Sequence, residues 1–104
     1  MVAVNRERSL WAALVALAAG DAATTLVALE MGLPEANPLL AALVGAVGLL
    51  AIPLSQVVYV GGAAAIVRVV EDHGRRPVLL AGISLSAIVV ANNLAAVLVV
   101  GWSA

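Results

Sequence analysis

The run from Ser9 to Leu29 carries one charge, Asp21, and no other feature of the chain constrains its fold as tightly. At 1.5 Å per residue an α-helix over this run rises about 30 Å, the thickness of a bilayer's hydrocarbon core. A carboxyl group inside such a helix costs roughly 2.5–3.5 kcal/mol on insertion scales, so its retention points to a role. Composition agrees with a membrane setting. Hydrophobic residues make up 64% of the 104-residue chain and charged residues 11%, where soluble domains run near 45–50% and 25%.

Four apolar segments follow from the punctuation. The first span covers about 9–30, with Ser9 as N-cap, Trp11 as an interfacial anchor and Arg6 and Arg8 before it. A cleaved signal peptide is the competing reading of this segment, but the apolar pattern continues about two turns past Asp21. Gly32 and Pro34 then mark a short connection, and Asn37 followed by Pro38 reads as a helix start. From Pro38 to Val70 the only charge is Arg68, and Gly45, Gly48 and Pro53 interrupt the run. Its second part, about 49–70, is long enough to span; its first part, about 38–48, rises only about 17 Å and fits a re-entrant or half-helix. The charged loop 71–76 leads to Pro77, which starts a last span of about 77–101 ending near a second anchor, Trp102.

The expected fold is therefore one all-α transmembrane domain over residues 1–104, with three transmembrane helices and a short half-helix; four transmembrane helices are the alternative. Arginine placement favours three. With the half-helix dipping and returning, Arg6, Arg8, Arg68, Arg75 and Arg76 all fall on one side. The positive-inside rule then puts the N-terminus and the 71–76 loop in the cytoplasm of a multi-pass cell-membrane protein.

Several functions are excluded or disfavoured by what is missing. A net charge of −1 offers no basic face for nucleic acid, and the absence of cysteine with a single histidine, His73, leaves no ordinary zinc site within one chain. What remains is a polar set placed at one depth. Asp21, Thr24 and Thr25 share a helical face; Ser55, Gln56 and Tyr59 form another; Asn92 and Asn93 point about 100° apart, so at least one faces inward. Glu35, Asn37 and Pro38 lie at the outer mouth, where they also make an ordinary helix cap. Each has a plainer explanation as well. Thr24, Thr25, Ser84 and Ser86 can bond their own backbone, Gln56, Asn92 and Asn93 can hold helices together, and Gly61, Gly62 and the following alanines can pack a neighbouring helix. Asp21 is hardest to explain this way, because no arginine reaches its depth and its neutraliser must be a proton, a cation or a partner chain.

An Asp followed by Thr-Thr three residues on, then Glu-x-Asn-Pro opening a short apolar helix, resembles an uncharacterised family of small archaeal and bacterial integral membrane proteins. Asp21, Thr25, Glu35, Asn37 and Pro38 carry the likeness. In that family a lysine often stands near the positions of Ser55 and Gln56, and its absence here argues against a built-in Asp–Lys pair. The resemblance implies the membrane fold and the residue set, and names no reaction.

Three functions fit these residues. The first is an oligomeric channel or carrier subunit in which Asp21, Thr24, Thr25, Gln56, Asn92 and Asn93 hold a proton or monovalent cation through oxygen ligands; the metal, if any, is undetermined. A homo-oligomer is expected, since three helices enclose little volume. The second is a structural or accessory subunit of a larger membrane complex, whose partners are the bilayer and other chains. The third, an intramembrane hydrolase using Asp21 and Glu35 as a carboxylate pair, has no nucleophile, metal cluster or phosphate loop beside it. The expectation is a non-enzyme without a cofactor.

Overall fold

The computed structural model describes the backbone of residues 2–35 and 37–103 and the side chains of 6–35 and 37–100. Trp102 lies outside the described side chains. Four helices account for almost all of this: α1 (Val2–Glu30), α2 (Pro38–Val47), α3 (Ala51–Val69) and α4 (Asp72–Ser103). Three of them are long and apolar enough to cross a membrane, and α2, with 10 residues and a rise of about 15 Å, is not. The chain therefore has three candidate spans and a half-helix.

Local sequence sets the ends. After α1 the N–H of Leu33 donates to Ala28 O and that of Gly32 to Leu29 O, both at 3.0 Å, the paired bonds of a Schellman cap. The cap needs a left-handed residue, supplied by Gly32 at φ 85, and Pro34 follows it. Asn37 caps α2: its side-chain oxygen accepts from Leu39 N at 3.0 Å and Leu40 N at 3.3 Å, with Pro38 in the first helical position, where its missing N–H costs nothing. Pro53 occupies the first turn of α3 for the same reason. It does not break the helix.

Two helix starts lie earlier than the sequence expectation: α1 begins at Val2, with Ser9, the expected N-cap, inside it, and α4 begins at Asp72, with Pro77, the expected start of the last span, inside it. Within the helix Pro77 forfeits the hydrogen bond to the residue 73 carbonyl and sets its ring against that oxygen. Against that loss, Gly74 N bonds Glu71 O at 2.8 Å to close the turn, and Asp72 places a negative charge at the helix's positive end. A β-carbon on Gly74 would approach Val70 Cβ to 3.2 Å, so the two-residue link between α3 and α4 is tight enough to favour glycine.

The long helices pack around a small apolar centre of Leu14, Val67 and Leu79, flanked by Leu10, Trp11, Tyr59, Ala63, Val78 and Ile83. Trp11 thus packs onto the bundle's own core. Contacts fix the directions. Glu7 meets Arg75 at 2.8 Å, a β-carbon on Gly82 would stand 3.2 Å from Leu14 Cδ1, and Gly20 faces Val90, so α1 and α4 run parallel and share the largest contact. Gln56 reaches Asp21 while Val67 joins Leu14, so α3 runs antiparallel to both. The half-helix packs against α3 alone and buries none of its residues. Leu39, Leu50, Val57, Val58 and Ile88 are among many large side chains left exposed, a pattern that suits a lipid-solvated surface.

Candidate functional site

Asp21 lies 13 residues past Arg8 and nine before Glu30, placing it about 20 Å along α1 from one charge and about 14 Å from the other. At this level the three long helices each contribute a polar side chain to it. From its own helix, Thr25 Oγ1 donates to Asp21 Oδ1 at 3.2 Å. From α3, Gln56 Nε2 donates to Oδ2 at 3.0 Å, and from α4, Asn93 Nδ2 donates to Oδ1 at 3.3 Å. An ionised carboxylate can only accept, and all three partners offer it N–H or O–H groups.

Asn93 is the hub of the network. Its amide nitrogen also lies 3.0 Å from both Thr24 Oγ1 and Thr25 Oγ1, so two N–H groups serve three acceptors. Thr24 passes its own proton to the backbone, donating to Gly20 O at 2.8 Å and Asp21 O at 3.2 Å. Its hydroxyl therefore does both things the sequence allowed, bonding its own helix and accepting from another. The Gln56 amide, by contrast, is half satisfied: with Nε2 turned to the carboxylate, Oε1 is buried without a donor among the described residues.

A cavity of about 630 Å³ opens beside this network. Asp21, Thr25, Gln56, Asn92 and Asn93 line it with Ser55, Tyr59 and Ser86, and Glu35 and Asn37 border it from the start of α2. Leu39, Leu40 and Leu43 of α2 and Leu85, Ile88 and Val89 of α4 form an apolar wall. No arginine or histidine borders it.

The structure sorts the sequence-selected residues. Asp21, Thr24, Thr25, Gln56 and Asn93 form one hydrogen-bonded set. Asn92 is exposed and borders the cavity. Glu35 and Asn37 make a self-contained turn, with Asn37 N donating to Glu35 Oε1 at 3.1 Å while Asn37 caps α2; both also border the cavity. Pro38 opens α2 and is exposed. Ser86, read only as a residue that could bond its own helix, is buried at 3% exposure and lines the cavity. Its spacing of seven from Asn93 places both on one helical face, a signal present in the sequence. Tyr59 is anchored from below, its hydroxyl donating to Gly82 O at 2.6 Å. Among the described residues no three His, Cys, Asp or Glu side chains gather as a metal site.

No protein-family model, curated protein or solved structure matches the chain. The likeness carried by Asp21, Thr25, Glu35, Asn37 and Pro38 rests on those residues alone. What fold and site define is a class: a small helical membrane protein with three apolar helices long enough to span, a half-helix, and a carboxylate partway along the first helix held by neutral donors beside a cavity.

Proposed function

We propose that this chain is a binding and transport subunit, a small channel or carrier component in which Asp21 receives a proton or a cation. One observation carries the reading: Asp21 borders an open cavity with no arginine or histidine on its wall, and its side-chain donors are all neutral. A carboxylate kept only to glue helices would sit in a dry interface. Here it has room for a counter-charge. Transport across the bilayer would draw on a homo-oligomer, since the half-helix buries nothing within the monomer and Gly61 and Gly62 face open space. Those same open surfaces favour a second reading, an accessory subunit of a larger membrane complex. A binding role without chemistry suits the acids, because Glu35 is engaged in the turn that starts α2. The Glu7–Arg75 pair holds the starts of α1 and α4 at one end of the bundle, which supports a cytoplasmic placement for the N-terminus and the 71–76 loop.

The test is linkage. A ligand that binds only the folded state raises its melting temperature by mass action. In lipid nanodiscs, wild-type protein should melt higher with sodium, potassium or magnesium, or shift with pH, and Asp21→Asn should fold yet lose the response. Wild-type melting indifferent to all four, with Asp21→Asn behaving identically, would hand the argument to the accessory-subunit reading.

A further inference from the structure

The cavity is built for more than a bare ion. An enclosed water claims about 30 Å³, whereas about 630 Å³ falls in the range of sites for organic molecules. Its lining also combines two chemistries. The carboxylates of Asp21 and Glu35 and the Gln56 and Asn93 amides are polar; leucine, isoleucine and valine make up the apolar part.

The hydrogen bonding restricts what the polar side can hold. Hard metal ions gather six or more oxygens. At Asp21 the nearest amides present nitrogen, the Thr24 and Thr25 hydroxyl protons point to acceptors within α1, and Oδ1 already accepts twice and Oδ2 once. With about four lone-pair directions on a carboxylate, one is left. A single free acceptor direction on a carboxylate suits an N–H cation and is a poor cage for a metal.

The apolar side says what that cation carries. Leu39, Leu43, Leu85 and Ile88 border the cavity and are 70%, 44%, 59% and 66% exposed, so its wall continues onto the outer surface of the bundle. The half-helix touches only α3, which leaves an opening between α2 and α4. In a bilayer that opening faces acyl chains.

We propose that the cavity takes an amphipathic organic cation, a primary alkylammonium, with its head on Asp21 and its chain along the apolar side chains of α2 and α4. This rests on the cation-site reading of Asp21 and names its ligand class. Head and chain are both needed: the ammonium supplies the charge that Asp21 lacks, and the chain concentrates it in the bilayer beside the opening, which a short cation such as methylammonium cannot do. The chain brings the cation in from the side and excludes water from the carboxylate.

The experiment compares octylammonium, octan-1-ol and methylammonium in nanodiscs of zwitterionic lipid, read by melting temperature and by isothermal titration. Octylammonium should raise the melting temperature of wild type, while the other two at equal concentration should not. Asp21→Asn should bind octylammonium about tenfold more weakly or worse, the scale of one hydrogen bond to a charged group. An equal response to octan-1-ol, or an octylammonium response that survives in Asp21→Asn, overturns the proposal. So does methylammonium matching octylammonium, or stabilisation by sodium or potassium alone; in those two cases the cation site stands and only its ligand class falls. Indifference of wild type to every ion, to pH and to octylammonium removes both. The wild-type comparisons decide the matter even where Asp21→Asn does not fold.

Discussion

Replacing Asn93 by leucine separates the network from its neighbours. The change keeps the branch at Cγ, enlarges the side chain, and removes two N–H donors that serve Asp21 Oδ1 at 3.3 Å and the Thr24 and Thr25 hydroxyls at 3.0 Å. Hydrogen bonds between membrane helices average about 0.6 kcal/mol with a maximum near 1.7, so two donors are worth about 1–3 kcal/mol. That corresponds to roughly a fivefold to hundredfold fall in the ratio of folded to unfolded protein. Asn92→Leu supplies the control, since Asn92 is exposed at the cavity edge and its loss should cost under about 0.5 kcal/mol. Unfolding titrations in mixed micelles measure both. Equal costs for the two, or a greater cost at Asn92, would mean that α4 is rotated from the position described and that Asn93 is not the hub.

Tyr59→Phe deletes the 2.6 Å bond to Gly82 O and should destabilise by about 0.5–1.5 kcal/mol in the same titration; no change would show that bond to be without weight. Gly82→Ala puts a methyl 3.2 Å from Leu14 Cδ1, a fully buried side chain with little freedom to yield, and should cost about 1–3 kcal/mol. Gly61→Ala meets nothing within 4 Å in the monomer, so a loss of stability there, accompanied by a lower assembly mass by native mass spectrometry, would locate a chain–chain contact. Single cysteines at Arg8 and His73 should be labelled from the same membrane face by an impermeant maleimide; labelling from opposite faces would contradict the Glu7–Arg75 pairing.

The parts of this arrangement that could be read from sequence are those set by short-range rules. Gly32, Pro34, Asn37 and Pro38 act on their own backbone within a few residues, so the end of α1 and the start of α2 were legible. Depth was legible too, because counting residues from Arg8 and Glu30 gives Asp21's level at 1.5 Å per residue. Rotation was not. Whether Asn92 or Asn93 turns inward depends on how α4 is set against α1, which the Gly82–Leu14 and Gly20–Val90 approaches decide across about 70 residues of chain. The start of α4 was hidden for a related reason: Pro77 is a local stop signal, whereas the turn at Val70 and Glu71 and the ion pair from Arg75 to Glu7 that accompany the earlier start depend on how α4 meets α3 and α1. Trp11, half-exposed near one end of its span, also packs against the core of Leu14, Val67 and Leu79, a contact across helices that the sequence does not show.

The donors of Asp21 lie on helices made long after it. Gln56 is 35 residues downstream and Asn93 is 72, so at 5–20 residues per second the ribosome adds the last partner roughly 4–14 s after it adds Asp21. Until Gln56 follows, α1 holds an acid with only Thr25 to donate to it, and until Asn93 follows, the donor from α4 is missing. α1 is therefore made before α3 and α4 yet depends on both, and a nascent chain cut short before residue 93 should be a poorer tenant of the membrane than its hydropathy suggests. Insertion of α1 is in this sense a debt carried by the translocation machinery until α4 arrives.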